Sequence, residues 1–122
     1  MEYELNVTIH GICLIRLYGR IDHTLAEQLR QDMNTFMEQG QRWFILDLSQ
    51  VTFLESMGLT VLITGIKSAR VIGGDLVVIQ PTPNVRNLLH ITALDYLIRE
   101  YPTVQAAIAA YQQAAQNDMF TL

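Results

Sequence analysis

A serine hydroxyl becomes a nucleophile when a base such as histidine lies within hydrogen-bond reach. Ser56 sits in the run Glu55-Ser56-Met57-Gly58. No G-x-S-x-G turn frames it, and its neighbours are a carboxylate and a thioether. The chain has no G-K-[ST] phosphate loop and no G-x-G-x-x-G run. His10, His23 and His90 fall in separate segments without metal-ligand spacing, and Cys13 is a lone cysteine. Neither a metal site nor a cofactor is expected, and the pattern argues against catalysis. What remains for Ser56 from its neighbours alone is a helix cap.

The elements that hold Ser56 can be read from the hydrophobic pattern. Trp43 to Leu48 is an apolar run suited to a fully buried strand, and Leu59, Leu62, Ile63 and Ile66 are spaced as one face of a helix. Ser56 lies after the intervening loop, where an N-cap hydroxyl would accept from a backbone N–H one turn in. Upstream, Glu4–Ile9 and Ile12–Tyr18 read as a hairpin around His10-Gly11, with Gly19 closing the second strand. In that strand Cys13, Ile15 and Leu17 share a dry face, whereas Leu14, Arg16 and Tyr18 share a mixed one. Helices are therefore expected mainly on one side of the sheet.

Asp22 or Thr24 can start the first helix, the latter with Glu27 as a capping box. Leu25, Leu29, Met33, Phe36 and Met37 give its apolar stripe, and Gly40 its end. Leu76–Ile79 reads as a strand, Thr82-Pro83 as a cap with proline at the first helical position, and Tyr96–Arg99 as an edge strand. A last helix opens at Pro102-Thr103, and the tail from Asn117 to Leu122 is expected to fray. Strands alternating with helices after a hairpin indicate an α/β domain with a mostly parallel sheet. The segments Gly19–Asp22, Glu55-Ser56 and Gln80–Asn84 all follow strands. They should meet at one edge, placing Asp22, Met57, Gly58, Thr82 and Asn84 around Ser56 and Glu55. Asp22 reads equally as a helix cap or a functional carboxylate. Asp47, ending a buried strand, is expected to bind loop amides, and Gly58 to mark a close backbone approach.

With 122 residues, half of them apolar and 16% charged, the chain fits one compact domain. A net charge of −4 argues against a nucleic-acid surface, which needs clustered Lys and Arg. No apolar segment is long enough to span a bilayer. Met1-Glu2-Tyr3-Glu4 lacks the basic start of a signal peptide, and a single cysteine suits a reducing setting, so a cytoplasmic location is expected.

Asp47-Leu48-Ser49 followed by Val51-Thr52-Phe53-Leu54-Glu55-Ser56-Met57-Gly58-Leu59 resembles the signature of STAS domains. More narrowly it resembles that of bacterial anti-sigma factor antagonists, roughly D-[LF]-S-x-[VL]-x-F-[ILM]-D-S-[SAT]-G-[LI]. Gly19-Arg20-Ile21-Asp22 matches the family's G-x-[LI]-[DN] segment, and Gly73-Gly74-Asp75-Leu76 and Pro83-Asn84-Val85-Arg86-Asn87-Leu88-Leu89 match later landmarks. Glu55 stands where the family has Asp, and Met57 where it has a small residue.

The resemblance implies one STAS domain over residues 1–116, as a monomer or weak dimer. It implies that Ser56 is phosphorylated by an anti-sigma factor serine kinase and restored by a phosphoserine phosphatase. The unmodified protein would sequester the anti-sigma factor and release sigma. A STAS module that binds a small ligand or regulates a transporter or lipid-handling complex is the alternative. On the central helix, Met57, Thr60, Val61 and Thr64 lie on or near the face left over when the leucine–isoleucine stripe points inward. They are the expected partner contacts.

Overall fold

The computed structural model of the protein describes residues 3–7 and 11–120, with side chains described for 11–114. Among the described residues the elements are β1 (Tyr3–Val7), β2 (Ile12–Ile21), α1 (His23–Glu38), β3 (Trp43–Leu54), α2 (Ser56–Val71), β4 (Asp75–Ile79), α3 (Pro83–Ile91), a 3-10 turn (Leu94–Tyr96), β5 (Arg99–Tyr101) and α4 (Val104–Phe120). The strands form one sheet in the order β1-β2-β3-β4-β5. β1 pairs antiparallel with β2, and every later pair is parallel. Of the expected hairpin turn, Gly11 has a φ of +75°, and Thr8 to His10 lie outside the described residues.

The strand order never reverses, so right-handed crossovers place each connecting helix on the same face. Leu25, Leu29 and Met33 of α1, Leu62 and Ile66 of α2, and Val85 and Leu89 of α3 share one core with Cys13, Ile15, Leu17, Phe44 and Leu46. α4, which follows the last strand, covers the other face. There Ala107 and Tyr111 pack on Ile12, Leu14, Ile45, Val77 and Ile79. The Tyr111 hydroxyl donates to the Phe44 carbonyl at 2.6 Å, so the helix is fixed by a buried polar bond as well as by apolar area. Trp43 to Leu46 can be apolar throughout because β3 is covered on both faces.

Several boundaries differ from the expectation. β2 does not stop at Gly19; it passes through that residue, which has a φ of +74°, and runs to Ile21. β3 likewise continues through Ser49 to Leu54, where a loop was expected. The reason is pairing: β2 and β3 extend together to Ile21↔Leu54, well past the point where β4 ends opposite Asp47. Two register shifts let them do so. Arg16 to Tyr18 faces Asp47 to Gln50, and Gly19 to Arg20 faces Val51 to Phe53, so β3 carries an extra residue at each bulge. Asp47 accepts from the Ser49 amide at 3.0 Å at the first of these.

Tyr96–Arg99 is not a strand. Leu94 and Ile98 are both buried and one turn apart, with the Ile98 amide bonded to the Leu94 carbonyl, so this stretch turns before β5 begins. The backbone of the expected tail is helical in α4 as far as Phe120.

Candidate functional site

The β2–β3 ribbon projects beyond the carboxyl end of β4 and ends at Glu55, whose amide bonds the Ile21 carbonyl at 3.0 Å. α2 begins directly afterwards. Its N-cap is Glu55, which makes no side-chain cap bond, and Ser56 is the first helical residue, not the cap expected from sequence. A strand that runs straight into a helix leaves the extended backbone of a cap to Glu55, and with it the capping position. Ser56 is exposed, and its hydroxyl makes no hydrogen bond among the described residues.

Around it lies a groove of about 490 Å³ lined by Arg20, His23, Phe53, Glu55, Ser56, Met57 and Leu88 among others. Arg20 donates through Nε at 3.0 Å and Nη2 at 2.8 Å to the same oxygen of Glu55. Its guanidinium also lies 5.1 Å from the centre of the Phe53 ring, a cation–π arrangement. Phe53 is 40% exposed, unusual for so large an apolar side chain. The site is therefore a free hydroxyl beside a cation, a carboxylate and an open aromatic.

The other expected neighbours divide. Met57 lines the groove. Gly58 is buried, with Ile21 and Leu54 side-chain carbons 3.4 Å from where a Cβ would stand. Asp22 is a cap: its carboxylate accepts from the Leu25 amide at 2.9 Å, so Thr24 and Glu27 form no capping box at that end. Thr82 and Asn84 serve the far side of β3. The Thr82 hydroxyl donates to the Val51 carbonyl at 2.8 Å, and the Asn84 amide to the Thr52 carbonyl at 3.1 Å. These carbonyls belong to the part of β3 that β4 has left, so the two side chains satisfy backbone that no strand reaches. Neither lines the groove.

The expected partner face also needs correction. Val61 is only 2% exposed and belongs to the core between α1 and α2. The inward face of α2 consists of Gly58, Val61, Leu62, Gly65, Ile66 and Ala69, while Leu59 and Ile63 are half-buried on its flank. The two glycines account for the rotation, because a face containing them lets the helix approach closely. At Gly65 a Cβ would stand 2.7 Å from Met33 Cε. Thr60 and Thr64 are exposed, and each hydroxyl donates to the carbonyl four residues back. Arg20, His23, Phe53, Leu54, Leu59 and Leu88 also line the groove, where sequence reasoning did not place them. The signal that could have found Phe53 and Arg20 was continued strand alternation beyond Ser49.

No group of three His, Cys, Asp or Glu side chains suited to a metal occurs among the described residues. Cys13 is buried, and burial pushes its thiol up to about 11, far from a reactive thiolate at neutral pH.

The family model for the STAS domain matches residues 5–107. The chain belongs to the STAS domain family. A Bordetella bronchiseptica protein, BtrV, described as a candidate anti-sigma factor antagonist, is 29% identical over 106 residues, covering 87% of this chain and 91% of BtrV. The unphosphorylated anti-sigma factor antagonist SpoIIAA superposes with a TM-score of 0.81 at 23% identity, covering 91% of this STAS domain and 96% of SpoIIAA. The same fold is part of the murine anion transporter Slc26a9, with a TM-score of 0.70 at 20% identity over 84% of this chain and 18% of the transporter. No helix among the described residues of this STAS domain is long and apolar enough to cross a membrane.

Proposed function

We propose that this STAS domain is an anti-sigma factor antagonist whose binding is switched at Ser56. The observation that carries the reading is the exposed, unbonded Ser56 hydroxyl at the start of α2, beside the exposed Phe53 and the half-buried Met57 side chains. The unmodified rim offers an anti-sigma factor kinase an apolar contact around Met57 and Phe53, extended by Thr60 and Thr64 along α2. Sequestering that partner releases sigma.

The partner in turn transfers the γ-phosphoryl group of ATP to Ser56 Oγ. The bond to ADP breaks, and the hydroxyl proton passes to the kinase's base. The phosphoserine brings nearly two negative charges into a contact that must be desolvated, and binding is lost. A phosphoserine phosphatase hydrolyses the ester and resets the cycle. The domain itself performs no catalysis in this scheme and works in the cytoplasm as a monomer or weak dimer.

Incubated with its partner kinase and ATP, the protein should gain one phosphate, and Ser56→Ala should gain none. Phosphate mapped by peptide mass spectrometry to Ser49, Ser68 or a threonine would overturn the assignment. A second reading, a module that binds a small ligand or regulates a transporter or lipid-handling complex, draws on the fold shared with the anion transporter. An affinity pull-down that returns a membrane protein and no anti-sigma factor would favour it.

A further inference from the structure

We propose that Arg20 is the counter-charge of the phosphorylated state: it shares its guanidinium between Glu55 and a phosphate on Ser56. This rests on the reading of Ser56 as the phosphoacceptor, and it names a residue that reading does not require. Arg20 is held by Nε and Nη2 on a single oxygen of Glu55. A guanidinium carries five N–H donors in a planar fork, so two donors on one oxygen leave the rest of the fork for a second acceptor. Ser56 is the next residue after Glu55 and lines the same groove as Arg20.

The pair is also easy to redirect. The side chains are 64% and 34% exposed, and a surface ion pair of this kind adds little to stability. A phosphate dianion has twice the charge of a carboxylate and accepts fork-on bonds from arginine. Phe53 beneath the guanidinium holds it over the groove, so little side-chain freedom is lost when the phosphate arrives. The other ionisable groups nearby are His23, which lines the groove, and Asp22, whose carboxylate is engaged on the Leu25 amide.

The arrangement also explains why Glu55 is tolerable next to a phosphate. A carboxylate and a dianion on adjacent residues repel, and they would raise the second phosphate pKa above its ordinary value near 6 unless a cation lies between them. Arg20 would be that cation. It would keep the phosphate fully ionised at neutral pH, where the added charge opposes partner binding most strongly.

The test uses protein carrying phosphoserine installed at position 56 during translation, so no kinase is involved. A failure of kinase phosphorylation therefore stays separate from a failure of this inference. The phosphate is titrated by phosphorus NMR in the parent, Arg20→Gln, Glu55→Gln and the double variant, with circular dichroism confirming that each is folded.

Arg20→Gln should raise the phosphate pKa by about 0.5 unit or more, and Glu55→Gln should lower it. The decisive comparison is between Glu55→Gln and the double variant, where the Glu55 carboxylate is absent from both. A rise there of at least about 0.3 unit means that the guanidinium acts on the phosphate itself. A smaller rise, no change or a fall would overturn the proposal and confine Arg20 to pairing with Glu55.

Discussion

The two ends of α2 are built on opposite plans. At the carboxyl end the chain has no freedom. The Gly74 amide bonds the Ala69 carbonyl at 2.8 Å and the Gly73 amide the Arg70 carbonyl at 3.1 Å, a Schellman closure with Gly73 at a φ of +86°. The Asp75 amide then bonds the Arg42 carbonyl, and Arg70 ties Asp75 to the Leu97 carbonyl. A Cβ on Gly74 would stand 1.7 Å from the Arg42 oxygen. At the amino end no side chain caps the helix, Ser56 is free, and the nearby Arg20–Glu55 pair is exposed. One end commits its polar groups to backbone; the other holds them in reserve. Tight closure at the far end holds the helix in place, and under the proposed function this leaves the near end available for a phosphate on Ser56.

The largest expected effect breaks the closed end. Gly74→Ala must move the Arg42 backbone and lose the first bond of β4, at a cost of about 4 kcal/mol or outright failure to fold. A thermal melt that matches the parent would mean that the end is not locked. Next comes a pair of glutamates on one helix. Val61→Glu buries an unpaired charge between α1 and α2 and should cost about 3 kcal/mol or more. Met57→Glu, at a half-buried side chain on the groove rim, should cost less stability than Val61→Glu and leave the protein folded, yet weaken partner binding more than tenfold, at least about 1.4 kcal/mol. Normal binding by Met57→Glu in titration calorimetry would move the interface away from this rim.

The smallest effect belongs to Ser56→Asp. Aspartate in the first turn suits the positive end of the helix, so stability should shift by no more than about 0.5 kcal/mol. Partner affinity should fall all the same. A large loss of stability in a denaturant titration would show that Ser56 holds the helix start, contrary to the comparison.

The legibility of the sequence follows the same division. The α1 stripe of Leu25, Leu29 and Met33, the Thr82-Pro83 start of α3 and the Gly40 stop were readable, because each depends on spacing or on a single residue's local preference. The course of Ser49 to Leu54 was not. Serine, glutamine and threonine next to a glycine-containing partner segment look like a loop, and whether they pair depends on bulges that let β3 keep pace with β2. The cap at Ser56 was misplaced for the same reason: a longer strand hands the cap position to Glu55.

By itself, the sequence determined the α/β alternation, the buried central strand and the exposed rim serine, since periodicity and turn chemistry act over a few residues and need no partner. Only the tertiary structure decided which face of α2 is inward. Gly58 and Gly65 have no apolar side chain to announce a contact, yet their smallness brings that face against β2 and α1 and takes Val61 into the core. It also decided what surrounds Ser56. Arg20 and Glu55 are 35 positions apart, and a parallel strand pair with two bulges brings them together. Contacts of that kind arise from register, which is settled by the whole sheet and has no local signature.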